Sequence, residues 1–399
     1  MTALRDERGT PPSGSVWDGL VGQHRTIEAL RSAADGQGMS HAFLFTGPPG
    51  SGRSNAAIAF AAALQCERTG AERGCGTCHE CHTVLAGSHA DVAVIRTEKL
   101  SIGVDEMREL VRRSALAPVG RRWQIMVVED ADRLTERAWN ALLKAVEEPA
   151  ERTVWMLCAP TVEDVLPTIR SRCRLVTLTT PTAEDVASFL VRTDGVDTAV
   201  ASYAARASQG HIGRARALAR DEATRNRRRE VVALPARLVS LRACMEAASS
   251  LSEVAKQEAE QVTTELDARE KADLDSAYGV VERGRRPREY APALRDLEKD
   301  QKARAKRRHL DVVDRGLMDL VSVYRDAIAV ATGAPGLLVN EEIRGDVELL
   351  ARASTPEANL RRIAAIFEAR EQMLEFNVQP MLALESMMLA LVAPEVRAG

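Results

Sequence analysis

The sequence predicts a mixed α/β domain built on a parallel sheet, followed by a second half that is almost entirely helical. Three observations carry this. Five apolar runs of strand length, Ala42–Phe45, Val92–Ile95, Trp123–Val128, Val154–Leu157 and Leu175–Leu178, alternate with segments of helical periodicity. Such alternation favours a parallel sheet covered on both faces by helices. A glycine-rich stretch, Gly47-Pro48-Pro49-Gly50-Ser51-Gly52-Arg53-Ser54, joins the first run to an Ala-rich helical segment. After Pro181 the strand-like runs largely vanish, and Ala, Leu and Val recur at helical spacing to the C-terminus.

With 399 residues and 45% hydrophobic content, the chain has room for two or three ordinary cores. A net charge of −3 with 28% charged residues gives no overall basic bias, so any contact with nucleic acid must come from a local patch or a partner. No 18-residue apolar run exists, and the residues from Met1 to Arg8 lack the apolar core of a signal peptide. A cytoplasmic protein with no membrane partner is expected.

In chain order, residues 1–15 are polar with Pro11-Pro12 and read as a flexible tail. Trp17-Asp18-Gly19-Leu20-Val21-Gly22-Gln23 is the first organised element, and Thr26 to Ala34 follow at helical spacing. A helix carrying Asn140 to Glu147 stops at Pro149, which cannot continue it. Thr182-Ala183-Glu184-Asp185 reads as a helix start, Gly210 to Gly213 as a local break, and a second boundary falls near residues 225–240, around Pro235. The expected division is a tail over 1–15, a sheet domain over 16–180 with an insert at 66–81, a small helical domain over 181–235 and a larger helical domain over 236–399. Residues 252–310 are highly charged and end in Lys302 to Arg308, a run more often a solvated helix face than a DNA site. Leu317, Leu320 and Val321, and later Met381, Leu382, Leu384, Met387 and Leu391, recur at helical spacing as candidate core.

The stretch Gly47 to Ser54 fits the phosphate-binding pattern G-x-x-x-x-G-K-[S/T] except at one residue. In that pattern backbone N–H groups curl around phosphates, a Lys reaches the β/γ oxygens and a hydroxyl ligates Mg²⁺. Gly47, Gly50, Gly52 and Ser54 are in place, but Arg53 stands where Lys is expected, and a planar guanidinium does not replace a compact ammonium conservatively. A second candidate is Glu129-Asp130, at the end of the apolar run Ile125 to Val128. In P-loop ATPases the first acid there holds Mg²⁺ and the second orients water. The usual order is Asp then Glu, and its reversal misplaces both groups, an error that can cost about 10²-fold in rate. The alternative is an acidic helix cap.

Four of the seven cysteines, Cys66, Cys75, Cys78 and Cys81, are spaced C-x₈-C-x₂-C-x₂-C. In a reducing compartment this pattern points to metal, and four thiolates suit a closed tetrahedral structural Zn²⁺. His79 and His82 lie within the cluster and read as exposed loop residues. The last candidate is Arg172, in Leu166-Pro167-Thr168-Ile169-Arg170-Ser171-Arg172-Cys173 between two strands. It is either a surface ion-pair residue or an arginine finger offered to a neighbour's ATP.

Asp18 to Gln23, the phosphate loop, the cysteine insert after its helix, Asn140-Ala141-Leu142-Leu143-Lys144 with Glu147-Glu148-Pro149, and Leu166 to Cys173 together resemble the bacterial clamp-loader AAA+ subunits of DNA polymerase III. The match covers roughly the first 215 residues. The resemblance implies a RecA-like AAA+ domain, a helical lid and an all-α collar, in a ring with gamma/tau and delta subunits that loads a sliding clamp onto primed-template DNA. It further implies that Arg172 acts in trans on the ATP of an adjacent gamma/tau subunit. Arg53, Glu129-Asp130, Ala159 in place of a polar sensor and Gly213 in place of a sensor Arg all weaken the chain's own site. Arg214 and Arg216 stand next and leave a shifted sensor open. The expected subunit therefore holds ATP or ADP weakly or not at all, needs Mg²⁺ only with nucleotide, and has little or no ATPase activity alone. The competing readings are a functional clamp-loader ATPase or other AAA+ motor, and a zinc-dependent DNA-binding protein.

Overall fold

The computed structural model describes residues 14–97, 101–120, 122–280, 287–334 and 336–392. Most of the tail expected over 1–15 lies outside these residues. Ser15 is anchored: its hydroxyl donates to the Gly74 carbonyl at 3.1 Å, and Val16 N donates to the same oxygen at 2.9 Å.

The chain divides into two compact units, Met1–Arg220 and Asp221–Gly399. In the first, α1 (His24–Ala34) precedes β1 (Ala42–Thr46), and α2 (Arg53–Gln65) and α3 (His79–Leu85) follow. Then come β2 (Val92–Ile95), α4 (Val104–Ser114), β3 (Gln124–Val128), α5 (Glu136–Glu147), β4 (Thr153–Ala159), α6 (Pro167–Arg170) and β5 (Arg174–Thr177). The helices α7 (Ala183–Asp194), α8 (Thr198–Ser208) and α9 (Ile212–Arg220) complete the unit. Each of the five apolar runs forms a strand with ends within two residues of the expected ones.

All pairings are parallel and the order is β2-β3-β4-β1-β5. The strands β1, β3 and β4 are buried along their whole length, which is why they read as unbroken apolar runs rather than alternating ones. One sheet face packs on α2 through Phe43, Phe45, Ile125, Val127 and Phe60; the other packs on α4 and α5 through Leu44, Met126, Met107, Trp139 and Leu142. From Ala56 to Gln65 every residue of α2 is buried. Its run of alanines lets it fit between the sheet and the cysteine insert, as an all-round apolar helix must. Thr182 caps α7 in a reciprocal capping box with Asp185, and Gln209 and Gly210 at positive φ break the chain between α8 and α9.

The second unit is helical: α10 (Glu222–Val232), α11 (Leu241–Ala277), α12 (Tyr290–Ala331), α13 (Arg344–Ala353), α14 (Pro356–Leu374) and α15 (Pro380–Leu391). The long helices α11 and α12 pair antiparallel, with Gln301 donating to the Asp267 carbonyl and Arg315 bonding Glu258. Gly316 keeps them close, because a Cβ there would sit 3.0 Å from Leu251 Cδ1. Leu317, Leu320, Leu384, Met387 and Leu391 are buried in the core, while Leu382 is exposed.

Arg304, in the basic run, is only 8% exposed and pairs with Asp267 and Glu270 at 2.5 Å each. Lys306 donates to Asn377, and Arg307 lies 3.8 Å from Asp311. Much of that run is therefore neutralised within its own unit. Among the described residues, no helix is long and apolar enough to cross a membrane.

Candidate functional site

In a parallel sheet the loops after the strands' carboxyl ends form the natural ligand edge. Gly47 to Gly52 follow β1 and Glu129-Asp130 follow β3, so the two sequence-predicted parts of the phosphate site share that edge. Positive φ at Gly50 and Gly52 curls the loop, and Gly52 opens α2 in a left-handed conformation.

The loop's own side chains and neighbours engage it. Arg53 Nη1 donates to the Gly47 carbonyl at 2.5 Å, turning the guanidinium back onto the loop that its Lys counterpart would use to reach phosphate. His211 stands over Gly50 so closely that a Cβ there would meet its ring at 2.3 Å, and Ile212 N points to the Gly50 carbonyl at 3.5 Å. The Ser51 hydroxyl is buried with no partner. Across the edge, Arg96 Nε lies 3.7 Å from Glu129 Oε2. Burial, and then the neighbouring charge of Asp130, hold the Asp132 carboxyl above its ordinary value. Ala159 ends β4 buried beside Thr46 and offers no polar side chain.

The question of a shifted sensor is largely answered by Asp194. Its buried carboxylate receives Arg216 in two bonds, at 3.0 and 3.1 Å, and Arg220 in a third at 2.9 Å. Arg216 also stacks on Phe189 at 5.0 Å. It is committed to the packing of α7 against α9. Arg214 N is held by His211 Nδ1 at 3.2 Å.

The four cysteines converge. Their sulfurs lie within 4.8 Å of one another, with Cys66–Cys75 at 3.8 Å and Cys66–Cys78 at 3.9 Å. A tetrahedron of about 2.3 Å Zn–S bonds has edges near about 3.8 Å, so the donors fit zinc in number, type and spacing. The thiols differ: burial pushes Cys75 up, but hydrogen bonds from Thr77 and Cys78 outweigh it and bring it down to about 6, whereas burial drives Cys81 upward. A bound cation would supply the charge that lets all four ionise. His79 and His82 are exposed as expected, but they lie on α3 rather than in a loop, because the Cys78 thiol caps that helix at Cys81 N. Trp17 Nε1 donates to the Arg73 carbonyl at 3.1 Å, which ties the N-terminal segment to the insert.

Arg172 is placed elsewhere. It lies just past α6 and before β5, at the amino edge of the sheet, while the phosphate loop leaves β1 at the carboxyl edge. Thr46 pairs with Thr177, so the four-residue length of β5, about 13 Å, separates the two levels. Arg172 Nη1 donates to the Thr168 carbonyl at 2.7 Å, and Nη2 lies 3.0 Å from Glu147 Oε1, with both side chains about 40% exposed. Sequence reasoning missed the partnerships of Glu147, His211 and Asp194, because each joins elements with no common periodicity.

The sequence profile described as "DNA polymerase III, delta subunit" matches residues 22–182. This segment belongs to the clamp-loader family. Over 154 residues the chain is 37% identical to the DNA polymerase III subunit gamma/tau of Mycobacterium tuberculosis, covering 38% of this chain and 27% of that protein. Over 150 residues it is 39% identical to the DNA polymerase III subunit delta' of Pseudomonas aeruginosa, covering 37% and 45%. The chain thus spans less than half the length of either relative. A solved gamma subunit-related protein of Thermotoga maritima is 19% identical, covers 74% of this chain and 98% of that one, and has a TM-score of 0.35. Identity over the clamp-loader segment is similar for gamma/tau and delta', so the difference between them must be argued from the site.

Proposed function

We propose that the chain is the delta prime subunit of the DNA polymerase III clamp loader, a stator that turns over little or no ATP itself and completes a neighbour's site with Arg172. The observation that carries this reading is the position of Arg172 at the sheet edge opposite its own phosphate loop. A guanidinium held there, half exposed, is out of reach of Gly47 to Ser54 and available to another subunit. The same reading accounts for the phosphate loop: Arg53 bonds the loop itself, Glu129 faces Arg96, and neither Ala159 nor Gly213 supplies a sensor.

In the assembly the partners are gamma/tau and delta, and through them the sliding clamp and primed-template DNA, in the cytoplasm. An arginine finger is worth about 10³ to 10⁵ in rate at the site it serves. Cys66, Cys75, Cys78 and Cys81 hold a structural Zn²⁺ that fixes the insert. ATP or ADP, if held at Gly47, Gly50, Gly52, Arg53 and Ser54, would bring Mg²⁺ to Glu129 and Asp130. The domain division at 181 and 236, into lid and collar, belongs to this proposal. The test is a loader reconstituted from gamma/tau, delta and this chain carrying Arg172→Ala: DNA- and clamp-stimulated ATP hydrolysis falls, and an undiminished rate rejects the finger.

A second reading, a working gamma/tau-like ATPase, is favoured by the 37% identity to gamma/tau. It predicts rapid magnesium-dependent hydrolysis by the isolated chain, whereas the stator predicts almost none.

A further inference from the structure

Helix α14 turns Asn359, Arg362, Ile366, Ala369 and Met373 toward the core of the second unit, all buried. Its outer side carries a line of large apolar groups. Leu360, Phe367 and Leu374 are 57%, 46% and 41% exposed, and Phe376, just past the helix end, is 68% exposed. Residues seven apart on a helix fall within about 20° of one another, so the three helical members form one nearly axial stripe about 20 Å long. A single exposed leucine is ordinary, whereas an aligned row of this length marks an interaction surface.

One flank of the stripe is acidic. Glu357, Glu368, Glu371 and Glu375 are all exposed and lie within about 80° of Leu360 on the same side, where Arg361 is the only cation. On the other flank Arg370 is tied to Asp314 at 2.5 Å. The face is therefore a ridge with apolar groups along its line and negative charge along one border. Antiparallel pairing with a second copy would set these carboxylates against their equivalents, which is destabilising.

We propose that this face of α14 is a docking surface for an amphipathic helix of a different protein, one with an apolar line bordered by Lys or Arg. Resting on the assembly proposed above, that helix belongs to the gamma/tau or delta subunit. Apolar anchors supply affinity, and the acidic border sets orientation and excludes self-association.

The experiment uses the full-length chain with the gamma/tau and delta subunits of the same cell as probes. The first variant is Phe367→Ser with Leu374→Ser, and the second is Glu368→Lys with Glu371→Lys. Both leave core contacts untouched and should melt as the parent does. Each is expected to weaken capture by at least about tenfold, the scale of losing central anchors, and the parent's capture to weaken with salt. Unchanged capture by both variants overturns the surface while leaving the assembly reading intact. Self-association of the parent that these variants abolish assigns the face to a second copy and overturns the proposal. Failure of the unaltered chain to bind either subunit rejects the assembly reading and this surface together.

Discussion

Nη2 of Arg172 lies 3.0 Å from Oε1 of Glu147, joining the turn before β5 to the last residue of α5. Both groups are about 40% exposed, and such pairs contribute only about 0.2–1 kcal/mol. The contact is strong enough to orient a guanidinium and weak enough to exchange a carboxylate for a phosphate. Glu147→Gln should therefore leave stability within about 1 kcal/mol of the parent. In the reconstituted loader it should lower the ATP concentration for half-maximal hydrolysis without reducing the maximal rate. A fall in maximal rate equal to that of Arg172→Ala would instead place Glu147 in the catalytic machinery.

Converting Arg53 to Lys should not create an active ATPase. The substitution restores an ammonium to the loop, but Glu129 remains beside Arg96, Ala159 still offers no polar group, and Arg216 stays bound to Asp194. Steady-state hydrolysis by the isolated Arg53→Lys chain is expected to stay near that of the parent. A single-substitution gain of fast turnover would show that the remaining parts of the site are competent.

The cysteine insert should hold close to one zinc per chain, measurable by metal analysis of the purified protein. Its loss should be felt beyond the loop, because Cys66 and Cys81 are buried in the core that includes Phe60 and Leu64, and because Trp17 hangs on the Arg73 carbonyl. Chelation, or Cys81→Ser, is expected to lower the melting temperature of the first unit and expose Trp17 to quenchers. A chain free of metal that melts unchanged would leave the thiols as packing groups only.

The sheet was legible because β1, β3 and β4 are buried on both faces and so appear as unbroken apolar runs. The cysteine cluster was legible because its ligands lie within sixteen residues, Cys66 to Cys81. The contacts that decide chemistry were not. Glu147 and Arg172, Asp194 and Arg216, and Gly50 and His211 meet only after distant helices pack, and no local spacing encodes them. The basic run at 302–308 shows the converse, since its charge was plain in sequence and its neutralisation by Asp267 and Glu270 required the antiparallel pairing of α11 and α12.

That pairing gives a pH prediction. Hydrogen bonding from Arg304, together with Gln301 and the Arg304 charge, outweighs burial and holds the Glu270 carboxyl below its ordinary value of 4.5. A carboxylate depressed in the folded state contributes stability above its unfolded pKa and loses it as pH falls through the folded value. The hairpin should thus keep this contribution at neutral pH and lose it below about pH 4.5. Arg304→Gln should remove most of that pH dependence in far-ultraviolet circular dichroism melts. It should leave the loader's affinity for primed template unchanged, and weakened DNA binding by a folded variant would restore a nucleic-acid role.

The strongest single effect on stability is expected at Arg228. Its side chain is 2% exposed and reaches Asp319 at 3.1 Å, Glu342 at 2.6 Å and Asn340 at 2.5 Å. Asn340 in turn bonds Ser322 and Asp326 through its amide, and Asp326 also receives the backbone N–H groups of Val339 and Asn340. One guanidinium thus fastens α10 to α12 and to the segment before α13. Removing one partner of a buried charged network typically costs about 3–5 kcal/mol, because it leaves the other charges buried and uncompensated. Arg228→Ala should destabilise the second unit by that order in urea titrations, whereas Arg228→Lys should recover only part, since an ammonium cannot reach three acceptors in one plane. A loss below about 1 kcal/mol for Arg228→Ala would show that the network relaxes or hydrates without it.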